Sequence, residues 1–335
     1  MKTPSFWYTS RGFLSSLLSP LGWLYGKGGK LLRALKKPHR FPIPVISVGN
    51  IICGGSGKTP TAIALAHLLQ QKGIEVHFVT RGYGGLLQGP VEVSPSHSPK
   101  DIGDEPLLLA QHAPTWVAKN RPLGVQKAME NGAHLVILDD GHQTSSLYKN
   151  ISFVVVNALQ GFGNGHVMPA GPLRETLQEG LRRANAIIGI GEGNMPAGLP
   201  LFKAKINPQP VSFSLNRVVA FCGLGFPQKF YRTLKDLGAT LVATKSFPDH
   251  HTYTEDELLE LQALAKAQQA LLITTRKDWV KISPSWQKHL HVLDIEVQFE
   301  DPEGICNFIF EKIPNLHCHP RLRGDDKIKF TPLFS

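Results

Sequence analysis

Short unbroken apolar runs recur along the chain, and stretches of helical spacing separate them. Residues 45–48, 74–80, 135–138, 151–157 and 186–191 are runs of the kind that form strands buried on both faces. Residues 59–72 and 122–131 instead carry apolar positions three and four apart, as helices do. A shorter strand is expected at 115–118, and a helix opening at 169–175. This alternation predicts an α/β fold with a mainly parallel sheet and helices on both faces, as in P-loop nucleotide-binding proteins. The Asn207-Pro208-Gln209-Pro210 stretch interrupts the pattern as a linker does. Beyond it, strands at 217–222, 240–244, 271–275 and 291–295 alternate with helices at 226–237 and from 254, and a terminal helix spans 302–312. The predicted division is an N-terminal segment (1–42), a core domain (43–210), a smaller α/β domain (211–313) and a loosely held tail (314–335).

The first apolar run feeds Gly49-Asn50-Ile51-Ile52-Cys53-Gly54-Gly55-Ser56-Gly57-Lys58-Thr59 and then a helix. Strand, glycine-rich turn, Gly-Lys-Thr and helix together make a phosphate-binding loop. Small residues let backbone N–H groups of 52–59 approach phosphate oxygens, and the helix start adds partial positive charge. Ile52, Cys53, Gly54, Gly55, Ser56, Gly57, Lys58 and Thr59 are the candidate nucleotide contacts, with Lys58 reaching the β- and γ-phosphates and Thr59 holding Mg²⁺. Ile52 stands where the usual pattern has glycine.

The later runs end in polar residues, and ligands of open α/β sheets bind at the carboxyl ends of strands. Arg81-Gly82-Tyr83-Gly84 follows one such end, and Asp139-Asp140-Gly141 follows another. An aspartate after a buried strand is the expected Mg²⁺ partner of the loop; Asp139, first after the strand, is the candidate ligand. Asp104 and Glu105 stand at a predicted helix start, suiting either an N-cap or chemistry. Arg174 could face an anionic ligand or a carboxylate, and Arg121 follows the strand at 115–118.

Composition adds a location. The net charge is +10, yet residues 1–74 hold ten basic and no acidic residues, and charges cancel beyond them. An all-basic end suits an anionic surface, phospholipid or nucleic acid. Trp7 and Tyr8 precede Arg11, and Phe13, Leu14, Leu17, Leu18, Leu21, Trp23, Leu24 and Tyr25 lie between Arg11 and the cations from Lys27 to Arg40. The run from Phe13 to Tyr25 is too short to span a bilayer. It fits a helix in the membrane interface, or a core-packing helix with a solvated basic face. The four cysteines form no Cys-x-x-Cys pair, so reduced thiols in a cytoplasmic protein are expected, and His317-Cys318-His319 reads as tail rather than metal site.

Several motifs in one order resemble the tetraacyldisaccharide 4′-kinase (lipid A 4′-kinase) family of P-loop kinases. They are Gly49-Asn50 leading into Gly54–Pro60, Arg81-Gly82-Tyr83-Gly84, Gly103-Asp104-Glu105-Pro106, Asp139-Asp140-Gly141, Pro169–Glu175, Phe221-Cys222-Gly223, Asp249-His250 and Thr274-Thr275-Arg276-Lys277-Asp278. The resemblance implies ATP- and Mg²⁺-dependent phosphorylation of the 4′-hydroxyl of a tetraacylated disaccharide 1-phosphate at the cytoplasmic face of the inner membrane. It needs neither nucleic acid nor an obligate protein partner, and it favours the interfacial reading of the N-terminus. By the same resemblance Asp104 is the base for the sugar hydroxyl. His250, from the second domain, pairs with it when the domains close, and Lys58 completes the catalytic set. Glu105, Arg81, Tyr83, Arg121, Asp140 and Arg174 are implied as substrate or supporting contacts. The chain departs from the family at Ile52, where a small polar residue is usual. It departs again after Asp-Asp-Gly, where His142, Gln143 and Thr144 replace the usual apolar residue, Gln and His. Two rivals are a GTPase, faintly suggested by Thr275–Asp278, and a nucleic-acid-dependent ATPase, suggested by the high isoelectric point.

Overall fold

The computed structural model describes residues 4–9, 12–211 and 216–318. Arg11, residues 319–335 and part of the His317-Cys318-His319 tract therefore lie outside the described residues. The strands are β1 (Val45–Gly49), β2 (Val76–Thr80), β3 (Val91–Glu92), β4 (Thr115–Val117), β5 (Leu135–Asp139), β6 (Ile151–Asn157), β7 (Ala186–Ile190), β8 (Leu201–Pro208), β9 (Arg217–Cys222), β10 (Thr240–Ser246), β11 (Leu271–Thr275), β12 (His291–Leu293) and β13 (Ile295–Phe299). The helices are α1 (Phe13–Ala34), α2 (Lys58–Gln71), α3 (Pro99–Ile102), α4 (Asp104–Leu109), α5 (Arg121–Glu130), α6 (Leu177–Arg182), α7 (Pro227–Asp236), α8 (Glu255–Ala267), α9 (Arg276–Trp279), α10 (Pro284–Gln287) and α11 (Pro302–Lys312).

The larger unit holds a nine-stranded sheet ordered β13-β8-β7-β6-β1-β5-β2-β4-β3. It is parallel from β8 to β4, with β3 antiparallel at the edge. The strand before the glycine loop is thus central, and its five residues are all buried. Alternate residues face opposite sides. Ile46 and Val48 pack with Leu65 and Leu69 of α2 and Ile305 and Ile309 of α11. Val45 packs instead with Val125 and Ala128 of α5. Both faces are covered, which accounts for the unbroken apolar runs.

The smaller unit comprises residues 207–296 and has its own four-stranded parallel sheet, β10-β9-β11-β12. Its core lies on two sides of β9, with Phe230 and Leu234 of α7 on one and Leu258 and Leu261 of α8 on the other.

The structure departs from the sequence expectations at several places. The expected small domain of 211–313 ends early, because described residues from 297 to 318 return to the larger unit. There β13 joins the large sheet and α11 packs on its core. The expected loose tail begins with a 3₁₀ turn, Pro314–Cys318, whose Leu316 is buried in that core. Half of the presumed linker is strand, since β8 runs to Pro208. Residues 169–175 are not helical. Pro169 and Pro172 lack N–H donors, and the segment pairs instead with the glycine loop, Ile52 bridging Leu173 and Cys53 N donating to Pro172 O at 2.7 Å. The helix starts later, at Thr176, whose hydroxyl accepts from Glu179 N.

The N-terminal helix is longer than its apolar run and is turned inside out. Its inner face is small or polar: Ser15 Oγ accepts from Asn164 Nδ2 at 2.8 Å, and Ser19 Oγ bonds His166 Nδ1 at 3.1 Å. A side chain on Gly22 would strike the Val167 carbonyl at 2.5 Å, so this crossing requires glycine. Lys30 pairs with Glu179 and Arg33 with Glu175. Phe13, Leu17, Leu21, Trp23 and Leu24 are exposed, Phe13 to 81%. Among the described residues no helix is long and apolar enough to cross a membrane.

Candidate active site

The glycine loop owes its shape to two residues with positive φ, Gly54 at 118° and Gly57 at 88°. Gly57 caps α2, and a β-carbon there would sit 2.7 Å from Ile190 Cδ1. Asn50, buried at the strand end, braces the turn, its Nδ2 donating to Ser56 Oγ at 2.8 Å. These contacts fix the shape of the turn, with the α2 N–H groups at its base.

Two adjacent aspartates at the end of β5 face this loop in opposite electrostatic states. Thr59 Oγ1 donates to Asp139 Oδ2 at 2.8 Å, while the buried Asp139 Oδ1 has no hydrogen-bond partner. Burial first, and the nearby Glu105 carboxylate second, push the Asp139 acid up to about 7. Asp140, in a left-handed conformation at φ 51°, accepts from Arg174 Nη1 at 2.9 Å and lies 3.9 Å from Lys58 Nζ. Burial alone would raise its pKa, but Lys58, Arg174 and Arg121 outweigh that and hold it below the usual range. Asp140 is thus a committed anion, and Asp139 a carboxyl lacking a cation. A hard cation with oxygen ligands fits the unpartnered Asp139 Oδ1 and the Thr59 hydroxyl. Among the described residues no group of three or more His, Cys, Asp or Glu could hold a metal ion.

The expected residues do not all take the expected places. Lys58, Thr59, Asp139, Asp140 and Arg174 are joined directly. Glu105 and Arg81 lie close enough to act electrostatically on Asp139 and Arg121 respectively. Asp104 is buried in the first turn of α4, its Oδ1 accepting from Glu105 N at 3.0 Å; the N-cap is Gly103. Tyr83 is exposed between Gly82 and Gly84, both at positive φ. The Ile52 side chain packs in a core with Ile51, Val154 and Leu173, so the position where glycine is usual is strand-like here. Arg121 donates to the backbone carbonyls of Asp139 and Asp140 and to Thr144 Oγ1 at 2.6 Å, clamping the turn that carries both aspartates. His250 lies on the smaller unit at φ 60°, beside Asp249, which also pairs with Lys277 at 3.0 Å.

The guanine-reading echo is also explained. Asp278 is fully buried and accepts from Gly223 N at 3.0 Å, Tyr253 Oη at 2.9 Å and Thr275 Oγ1 at 2.7 Å, with Lys281 Nζ at 2.7 Å. Its oxygens are spent holding the smaller unit together.

The comparisons with known proteins agree with this geometry. A family model described as tetraacyldisaccharide-1-P 4′-kinase matches residues 14–314. The chain belongs to this family. A tetraacyldisaccharide 4′-kinase of Parvibaculum lavamentivorans is 47% identical over 84% of the chain and 87% of its own length. One of Rhodospirillum rubrum is 43% identical over 90% and 95%. The solved structure of Aquifex aeolicus LpxK in complex with ATP superposes with a TM-score of 0.75 at 30% identity, covering 90% of this chain and 99% of that one.

Within this family member, four supporting residues escaped sequence reasoning. Gln143 donates from Nε2 to Asn50 O at 2.8 Å and to Glu175 Oε1 at 3.0 Å. Glu175 in turn meets Arg183 and Arg33. Tyr8 Oη lies 3.9 Å from where a Gly54 β-carbon would stand. His142 is fully buried, bonding Ser152 Oγ at 2.9 Å and Gly180 O at 3.0 Å. A carbonyl only accepts, so Nε2 carries the proton and Nδ1 accepts from Ser152. Its role is to join β5 and β6 to α6. Most of these contacts span elements distant in sequence and leave no local signature.

Proposed function

We propose that this chain transfers the γ-phosphate of ATP to the 4′-hydroxyl of a tetraacyldisaccharide 1-phosphate, the lipid A precursor, at the cytoplasmic face of the inner membrane. The observation that carries it is the split pair of aspartates facing Lys58 and the glycine loop, in a chain of this kinase family. Lys58 and the loop amides bind and orient the triphosphate, and Arg174, held by Asp140, adds a cation beside Lys58. Thr59 and Asp139 would hold Mg²⁺, which supplies charge neutralisation on the phosphate oxygens. Asp104 takes the proton from the acceptor hydroxyl, and His250 pairs with it to tune its basicity. What supports Asp104 is its burial beside Glu105, whose charge reaches Asp139.

Membrane association is part of the same reading. The outward apolar face of α1, followed by Lys36, Lys37 and Arg40, suits an interface rich in anionic lipid. The experiment that tests the function is transfer of labelled γ-phosphate from ATP to a lipid disaccharide 1-phosphate by the purified protein. Label entering water or protein but never the lipid would overturn it.

A further inference from the structure

We propose that Glu175 is a positioning residue that ties the inner face of α1 to the Arg174–Asp140 ion pair, through Arg33 on one side and Gln143 on the other. The proposal rests on the kinase reading for its bearing on turnover, but the tie itself is a matter of geometry.

Glu175 is only 1% exposed, yet both its oxygens are used. Oε2 accepts from Arg183 Nη2 at 2.5 Å and lies 3.3 Å from Arg33 Nη2, in the last turn of α1. Oε1 accepts from Gln143 Nε2. Gln143 has no freedom to turn its amide: Nε2 faces two acceptors, Glu175 Oε1 and Asn50 O, and Oε1 faces Arg174 Nη1 at 3.4 Å. Arg174 is the partner of Asp140, which faces Lys58. Asn50 is the brace of the glycine loop. One buried carboxylate therefore joins the N-terminal helix to the groups that handle phosphate. A carboxylate so deeply buried is stable only while its cations stay in place. Burial would raise its pKa, but Arg183 and Gln143 outweigh that and keep it ionised. Moving or removing Arg33 shifts the charge balance at Glu175 and loosens Gln143. Seating α1 thereby helps to set the angle at which Arg174 and Asp140 meet Lys58.

The test uses the full chain carrying Arg33→Gln, Arg33→Lys, Glu175→Gln and the Arg33→Gln/Glu175→Gln pair. With detergent-dispersed lipid acceptor, Arg33→Gln should lower kcat about 3- to 10-fold with KM for ATP and lipid little changed. Arg33→Lys should recover most of the loss, and Arg33→Gln should add nothing in the Glu175→Gln background. Independently of any substrate, hydrogen–deuterium exchange of residues 139–144 should quicken in Arg33→Gln. Additive losses, a loss confined to KM for lipid, or unchanged exchange at 139–144 would each overturn the tie. Should Glu175→Gln fail to fold, the two Arg33 variants and the exchange measurement still decide. A wild-type protein that phosphorylates no lipid would refute the kinase reading alone, and exchange would then judge the tie.

Discussion

Thr59 and Asp139 are joined by a 2.8 Å hydrogen bond across 80 residues of sequence, leaving the second oxygen of the aspartate buried and unpartnered. Under the proposed function, a cation would complete this site. Asp139→Asn is expected to lower kcat by about 10²–10³-fold. Calorimetry with ATP should show wild type binding more tightly with Mg²⁺ than with EDTA, and the variant indifferent to the metal. A variant that keeps the full metal preference would remove Asp139 from the cation site.

Asp104→Ala is expected to lower kcat by about 10²–10⁴-fold while leaving ATP affinity nearly intact. If His250 works through Asp104, His250→Ala should cost less than Asp104→Ala and nothing further in its background. Steady-state kinetics of the two single variants and the double variant check this. A rise in KM for ATP alone would reassign Asp104 to nucleotide binding.

Two buried histidines predict how stability depends on pH. Burial is the main reason that His77 and His142 are each lowered from 6.5 to about 4. Both stay neutral in the fold but take up protons when unfolded below about 6.5. Between these values the unfolded state binds two more protons at the histidines, while Asp139, raised to about 7, binds one more in the fold. Stability therefore rises with pH by the remainder up to about 6.5 and slips slightly from there to about 7. Thermal melts from pH 4.5 to 8 should follow that curve. His142→Gln, which can keep bonds to Ser152 and Gly180, should make the acid limb shallower.

The exposed face of α1 predicts a salt-sensitive interaction with anionic vesicles. Replacing Leu21 and Trp23 by glutamate removes two exposed apolar side chains that would insert, each contributing about 1.5 kcal/mol, and should weaken vesicle partition about 10²-fold. Flotation with and without phosphatidylglycerol measures it. Equal binding to DNA and vesicles would instead favour nucleic acid as the partner of the basic end.

Asp278→Ala should destabilise the smaller unit by about 3–5 kcal/mol, the range for breaking a buried ion pair. The observable is a lower melting temperature with the ATP-over-GTP preference unchanged. A change in nucleotide preference would restore the guanine-reading interpretation.

What the sequence determined by itself was local. An apolar run, small residues at fixed offsets and Lys58-Thr59 at a helix start define a phosphate-binding loop wherever they occur together. The run ending at Asp139 could likewise be matched to that loop, because buried parallel strands leave an unambiguous signal. Tertiary structure decided everything that depends on which elements meet. It set Ile52 in the core, because residues 169–175 pair with the loop instead of forming a helix. It turned α1 so that serine and glycine face the protein, a choice that the Asn164–Val167 segment makes and periodicity does not. It returned α11 to the larger unit, where Ile305 and Ile309 find apolar partners on the sheet. It also made Arg121, Gln143 and Glu175 into supports for the site. A polar side chain shows its type in the sequence, but its partners exist only once distant segments have packed.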